Sequence, residues 1–119
     1  MNTSFHEKLK DKIDTYVHLV YDYSDNFPQP ERFGAQSQLR EAAMSVMLNY
    51  IEGYARQKSS KDRVNFLKTS YGSLKESRYL VQFSHQRGWM DTEAGNELLS
   101  KSDRIGKMLW GTIDNHDEQ

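Results

Sequence analysis

The sequence predicts an all-α protein, an antiparallel up-down-up-down four-helix bundle in a single domain. Apolar residues recur three and four positions apart along most of the chain, which is the period of a helix with one buried face. The only two prolines stand together at Pro28 and Pro30, so the long stretches on either side lack strong helix breakers. A length of 119 residues fits one domain. Short turns between consecutive helices favour an antiparallel arrangement of neighbouring helices.

The first half of the chain predicts two helices joined by an extended connection. The first helix is expected over residues 4–25 and the second over residues 35–56. Between them, the two X-Pro steps disfavour helical geometry. Phe27 and Phe33 make this connection too apolar for a free linker, so we expect both rings to pin it against the bundle.

The third helix is expected over residues 60–87. Ser60 suits its N-cap, and Asp62 is favourably placed in its first turn. Small residues at helical spacing along one face would let another backbone approach closely; they include Ser70, Ser73, Ser77 and Ser84. Gly88 is expected to end this helix in the left-handed conformation.

The fourth helix is expected over residues 91–114. Either Asp91 or Thr92 can cap its first turn. Three glycines lower the stability of this helix, because glycine has a lower helix propensity than alanine. The chain from Asn115 onward is expected to fray.

Composition excludes several classes of function. The chain has no cysteine, which excludes disulfides, thiolate catalysis and thiolate metal sites. It has no apolar run long enough to span a membrane, and its first residues are polar and mixed in charge, so we expect a cytoplasmic protein without a membrane partner. No Glu precedes a His by three, so the di-iron pattern of helical bundles is missing. We expect no metal, no cofactor and, without a phosphate loop or an evident nucleophilic triad, no enzymatic activity.

A polar line on the second helix borders its apolar face. Its members are small or polar throughout; they are Gln38, Ala42, Ser45, Asn49, Glu52 and Arg56. Half-buried polar groups need hydrogen-bond partners. The line therefore either holds the fold, by satisfying the proline-containing connection or by pairing with Arg32 or Arg40, or it forms a ligand site.

Charge is distributed unevenly along the chain. Residues 54–78 contain seven bases and two acids, a local charge of +5, although the whole chain carries −1. This run is either an ordinary solvated face or a surface that contacts phosphates, because clustered Lys and Arg give salt-dependent, sequence-independent affinity. Symmetric assembly would multiply a weak patch by the number of copies. The candidate nucleic-acid-binding residues are Arg56, Lys58, Lys61, Arg63, Lys68, Lys75 and Arg78.

Several motifs follow one another along the chain: Phe27-Pro28, Glu31-Arg32-Phe33-Gly34, Gln38-Leu39-Arg40, Asn49 with Glu52-Gly53, and Gly72-Ser73-Leu74 with Glu76. Together they resemble the signature of the four-helix-bundle 23S rRNA intervening-sequence protein family. The resemblance covers about residues 5–113. Members commonly have a proline where this chain has Met47, which predicts a straighter second helix here. The matching positions are expected to hold the fold; they are Phe27, Pro28, Glu31, Arg32, Gly34, Gln38, Arg40, Ser45, Asn49, Glu52, Gly53, Gly72, Ser73 and Glu76.

The resemblance implies a bacterial, non-enzymatic bundle that assembles into a ring-like homopentamer, in a family whose members often carry a ribosomal-protein label. Its relatives in diversity-generating retroelements bind nucleic acid and partner with a reverse transcriptase through a basic surface. We therefore expect a homo-oligomer that binds structured RNA or DNA, with a reverse transcriptase as the candidate protein partner. The alternative is a scaffold that recruits a protein and ignores nucleic acid. Trp89 and Trp110 would be its anchors, although burial between subunits explains them as well.

Overall fold

The structure confirms the predicted all-α bundle. This computed structural model describes the backbone of residues 4–117 and the side chains of residues 4–115. Its helices are α1 (Phe5–Ser24), α2 (Ala35–Ala55), α3 (Lys61–Gln86) and α4 (Thr92–Asp117), with a short 3₁₀ helix at Gln29–Glu31 between α1 and α2. No strand occurs in the described residues. The backbone of each helix lies close to the backbones of its two neighbours, which is the arrangement of an up-down-up-down bundle.

The helix ends show the predicted capping chemistry. The Ser60 hydroxyl accepts a hydrogen bond from the Arg63 N–H at 3.1 Å and so caps α3. Asp91 rather than Thr92 caps α4, since its Oδ1 accepts from the Ala94 N–H at 2.8 Å. Gly88 follows α3 with φ of +78°, a conformation that costs glycine little and other residues more.

The structure continues α4 beyond its predicted end at residue 114, and fraying from Asn115 onward stays a prediction. α4 continues to Asp117, and its last turns are anchored because Ile113 is fully buried in the core. The two final residues lie outside the described part of the chain. The core itself lies along the bundle axis and follows the predicted stripes; its fully buried residues include Leu9, Ile13, Tyr16, Val20, Leu39, Val46, Tyr50, Leu67, Leu74, Val81, Leu98, Leu109 and Ile113.

The serine row of α3 faces inward, where it brings α3 close to α2 and reaches a side chain of α1. Ser70 Oγ donates to the backbone oxygen of Val46 on α2 at 2.7 Å, a bond that forms only when the two backbones approach closely. Farther along the same face, the Ser77 hydroxyl lies 2.8 Å from the hydroxyl of buried Tyr16 on α1. The predicted role of these small residues is therefore confirmed.

The connection between α1 and α2 is held by one of its two phenylalanines. Phe27 is buried, and its ring centroid lies 5.9 Å from that of Trp89. Phe33 is 90% exposed, so the expectation that both rings pin the connection is wrong for Phe33. After the 3₁₀ helix at Gln29–Glu31 the chain turns again before α2, and this turn directs Phe33 to solvent.

Two serines of α3 are predicted to respond oppositely to alanine. Ser84 Oγ is buried without a hydrogen-bond partner in the described part of the chain. Ser77 Oγ, in contrast, forms a hydrogen bond with the Tyr16 hydroxyl. Ser84→Ala should raise the free energy of unfolding by about 1 kcal/mol, and Ser77→Ala should lower it by about as much. Both variants gain the same helix propensity, so chemical denaturation of the pair isolates the hydrogen bond. An equal loss of stability in the two would contradict the account of Ser84.

Candidate nucleic-acid interface

Three of the predicted phosphate-binding residues form a regular row on the outer side of α3. Lys61, Lys68 and Lys75 are exposed and recur at seven-residue intervals. Seven residues are close to two helical turns, so the three share one side of the helix, about 10 Å apart. We call this row, with Lys58 in the preceding turn, the α3 face. Two exposed acids, Asp62 and Glu76, lie next to its lysines in sequence, so one copy of the face has only a modest net charge.

Arg56 stands at the end of α2 and is partly neutralised. Its Nη2 lies 3.1 Å from Glu52 Oε2, one turn earlier on the helix. Its guanidinium also packs over the Phe66 ring, 4.9 Å from the centroid. Both groups of this ion pair are substantially exposed, so water screens the pair and Arg56 remains accessible to an anion.

Arg63 points back into the bundle instead of joining the α3 face. Its Nε donates to the Gly53 carbonyl at 3.2 Å, and its Nη2 donates to the Tyr54 and Arg56 carbonyls at 3.3 and 2.8 Å. These carbonyls lie at the end of α2, where a cation is favoured by the helix dipole. Arg63 is therefore a C-terminal cap of α2.

Arg63 also changes the electrostatics of a small aromatic cluster. Its guanidinium lies 4.5 Å from the Tyr54 ring centroid, and that ring lies 4.0 Å from the His6 ring. Burial lowers the pKa of His6, and the positive charges of Lys10 and Arg63 lower it further. The neutral imidazole is thus favoured beside Tyr50, whose hydroxyl is 2.7 Å from His6 Nδ1.

Arg78 joins α3 to α4. Its Nε and Nη2 donate to the two carboxylate oxygens of Asp103 at 2.7 and 3.3 Å. This bidentate bond holds the pKa of Asp103 below its usual value. Of the seven predicted residues, Arg63 and Arg78 are thus engaged within the bundle and Arg56 stands at the end of α2, while the other four form the α3 face.

The structure adds an aromatic pair beside the α3 face that sequence reasoning did not connect with nucleic acid. The rings of Tyr71 and Trp110 lie 5.1 Å apart across the contact of α3 with α4. Lys75 Nζ is 5.3 Å from the Tyr71 centroid, and Trp110 is 48% exposed. Exposed rings among cations are surfaces on which bases stack. Positions 71 and 110 are distant in sequence, so only the α3–α4 packing reveals the pair.

The polar line of α2 makes its bonds within the bundle, but not with the partners predicted for it. Ser45 Oγ is 2.7 Å from Ser73 Oγ on α3, and Asn49 Nδ2 donates to the hydroxyl and the carbonyl of Ser45 at 2.9 Å. The expectation that the line satisfies the proline-containing connection or pairs with Arg32 or Arg40 is therefore wrong. Ser45 contacts α3, whereas Gln38, in the first turn of α2 beside that connection, is exposed.

Arg40 turns toward α1 and caps its end. Arg40 Nε donates to the Ser24 hydroxyl at 2.9 Å, and Nη2 donates to the Tyr21 carbonyl at 3.0 Å. Gln36 Nε2 donates to the Ser24 carbonyl at 2.8 Å. The last turn of α1 is thus held by side chains of α2, as the last turn of α2 is held by Arg63 of α3.

Comparison with known proteins identifies the family. A family model described as 23S rRNA-intervening sequence protein matches residues 8–111. The chain belongs to this family. A crystal structure of a protein of unknown function from the S23 ribosomal protein family of Bacteroides thetaiotaomicron has the same fold, with a TM-score of 0.77 and 21% identity over 88% of this chain and 97% of that one. No curated protein matches the chain significantly.

Two signature glycines of this 23S rRNA-intervening sequence protein have different surroundings. A Cβ on Gly53 would lie 3.1 Å from Leu67 Cδ2 and 3.4 Å from the backbone oxygen of Arg63, so glycine lets α3 approach the end of α2. A Cβ on Gly72 would meet nothing within 4 Å. Gly72 is exposed on α3 between Lys68 and Lys75, so packing within the described chain does not require a glycine there.

The other signature positions fall into three groups. Some hold the fold through burial or the bonds described above; these are Phe27, Arg40, Ser45, Asn49 and Ser73. Some shape the connection before α2; these are Pro28, Glu31, Arg32 and Gly34. Gln38, Glu52 and Glu76 are exposed. α2 runs as one uninterrupted helix through Met47.

The described residues contain neither a group of metal-ligating side chains nor a membrane-spanning helix. Among them, no three His, Cys, Asp or Glu side chains are grouped so that they could hold a metal ion. No helix within residues 4–117 is both long and apolar enough to cross a membrane.

Arg63 and Lys61 are predicted to differ in what they do for stability. Arg63→Gln should lower the free energy of unfolding by about 1–2 kcal/mol, because three carbonyls at the end of α2 lose a charged donor. It should also raise the pKa of His6, since the positive charge of Arg63 lowers that pKa. Lys61→Gln is the matched control and should change stability by less than about 0.5 kcal/mol. Denaturation curves and an NMR titration of His6 measure both effects; an unchanged His6 pKa together with unchanged stability in Arg63→Gln would refute the capping role.

Proposed function

We propose that this 23S rRNA-intervening sequence protein is a non-enzymatic, homo-oligomeric bundle that binds structured RNA or DNA through its α3 face. The observation that carries this proposal is the row of Lys61, Lys68 and Lys75, exposed at two-turn spacing on a helix whose opposite side is packed. Lysines held at fixed intervals on a rigid helix contact phosphates without a pocket and without reading bases. The proposed setting is the bacterial cytoplasm.

Assembly gives this weak surface its affinity. One copy of the α3 face has four lysines, and Asp62 and Glu76 oppose them. Several copies around a common axis present the row repeatedly, and a second contact to the same nucleic acid forms at high effective concentration. The α3 face, with Arg56 beside it, therefore works as one unit of a larger cationic surface.

The outer side of α2 supports self-association. Leu48 and Ile51 are 54% and 45% exposed, and partly buried Met44 precedes Leu48 by one turn. Tyr21 of α1, Met44 and Leu48 line a groove on this side, together with the polar residues Glu41, Ser45 and Asn49. Apolar side chains clustered on one helix face are typical of subunit interfaces. A homopentamer is the stoichiometry that we propose, on the family resemblance.

A protein-recruiting scaffold is the second candidate function, and the exposed apolar residues Leu48 and Ile51 on the groove side of α2 favour it. Trp89 is a poor anchor, because it packs between the rings of Phe27 and Phe83 at 5.9 and 5.8 Å. Trp110 remains as an accessible aromatic residue. A scaffold would hold a protein such as a reverse transcriptase through this groove or Trp110, and nuclease treatment would leave that complex intact.

Salt-dependent binding tests the proposal. Fluorescence anisotropy should show duplex RNA bound at low salt, with log affinity falling linearly against log salt concentration. The triple variant Lys61→Gln, Lys68→Gln, Lys75→Gln should bind at least about tenfold more weakly and with a shallower slope, because phosphate contacts are lost.

The matched control removes three charges elsewhere. Lys10→Gln, Arg32→Gln, Arg87→Gln changes net charge by the same amount at exposed positions off the α3 face, and it should bind within about twofold of the wild type, since the remaining field changes equally in both triples. Absence of binding by the wild type at low salt, or equal losses in the two triples, would rule out the α3 face as the contact surface.

A further inference from the structure

A second concentration of positive charge lies in a cleft between α1 and α4, away from the α3 face. The cleft has a volume of about 420 Å³, which falls within the range of small-ligand sites. Four cations and one carboxylate line it, together with a hydroxyl and a buried aliphatic side chain; the residues are Lys8, Asp11, Lys12, Thr15, Lys101, Arg104 and Ile105.

The cations of this cleft are largely uncompensated within the chain. In the described part of the molecule, Lys8, Lys12 and Arg104 form no ion pair. Lys101 Nζ lies 3.9 Å from Glu97 Oε2, a long contact to a carboxylate that also accepts a hydrogen bond from Tyr23. The arginines that serve the fold are instead bonded closely, as Arg63 and Arg78 are. The positive charges of the cleft thus contribute little to the stability of the fold.

The geometry of the cleft limits the size of the anion. Lys8 and Lys12 are four residues apart on α1, and Lys101 and Arg104 are three apart on α4. Each pair extends about 5–6 Å along its helix. The cations therefore face each other across the cleft over roughly one helical turn, enough for two or three adjacent phosphate groups. A nucleic-acid duplex draws its affinity from contacts distributed over a longer row.

We infer that the α1–α4 cleft binds a small anion with two or three adjacent phosphate groups, such as pyrophosphate or the phosphate chain of a nucleoside diphosphate or triphosphate. Arg104 offers a planar fork for bidentate contact with one phosphate, and the lysines offer point charges to the others. Thr15 can donate a hydroxyl hydrogen bond, and Ile105 provides an apolar wall. This site is independent of the nucleic-acid proposal, because it shares no residue with the α3 face.

The sequence alone does not indicate this site. Residues 7–14 contain three bases and three acids, and residues 97–104 contain two of each, so neither segment stands out as basic. Only the packing of α1 against α4 places Lys8 and Lys12 opposite Lys101 and Arg104, while most of the acids of these segments lie outside the cleft.

Isothermal titration with inorganic pyrophosphate, in low-salt buffer without divalent cations, tests the inference. The wild type should bind one pyrophosphate per chain. The double variant Lys12→Gln, Arg104→Gln should bind at least about tenfold more weakly, because two charged donors are lost. The control Lys61→Gln, Lys68→Gln removes the same charge from the α3 face and should bind like the wild type. Circular dichroism of each variant verifies the helical fold.

Three results would overturn the inference. The first is the absence of pyrophosphate binding by the wild type at low salt. The second is an equal loss of affinity in the double variant and the control, which would show that pyrophosphate responds only to net charge. The third is tight binding of single-stranded RNA in the cleft, lost in Lys12→Gln, Arg104→Gln, with pyrophosphate unable to compete; the cleft would then be a nucleic-acid contact.

Discussion

The close approach of α3 to α2 is the constraint on which the rest of the structure depends. Ser70 Oγ reaches the backbone oxygen of Val46 at 2.7 Å, and Gly53 leaves room for Leu67 at the end of the same contact. A larger side chain at either position would separate the two helices. Because small residues occupy the inner side of α3, that helix commits one side entirely to packing. Lys61, Lys68 and Lys75 lie on the opposite side at seven-residue spacing and form a fixed row of charge. Arg63 turns back to the end of α2 instead.

The basic residues divide by chemistry between fold and surface. Arg40, Arg63 and Arg78 each make several directed bonds, to the ends of α1 and α2 or to Asp103, which suits a planar guanidinium with five donors. Lys58 and Lys61 of the α3 face and Lys8 and Lys12 of the α1–α4 cleft are instead exposed, and a compact ammonium acts as a point charge. This division explains how a chain with a net charge of −1 keeps two separate cationic surfaces. One is an extended row suited to a polymer, and the other is a short cluster suited to a small anion.

Local signals predicted the fold well, whereas the candidate site depended on long-range packing. Helical period, the Ser60 cap and the Gly88 terminator are encoded within a few residues, so the sequence alone indicates them. The basic run of residues 54–78 was also visible, but its sequence does not tell that Arg63 turns inward or that Arg78 finds Asp103 on another helix. Phe33 is apolar and yet exposed, because the turn before α2 sets its direction. The α1–α4 cleft could not be predicted from the sequence, because its cations come from two locally neutral segments that only the packing of α1 against α4 brings together.

Lysine protection by bound nucleic acid tests the central claim most directly. Acetylation of the protein with and without duplex RNA, read by mass spectrometry, reports each lysine separately while the protein stays folded. The account predicts that RNA slows the modification of Lys58, Lys61, Lys68 and Lys75 several-fold, since phosphates cover the α3 face, and leaves Lys10 unchanged. RNA that binds the protein while the four lysines of the α3 face react as fast as in its absence would contradict the account.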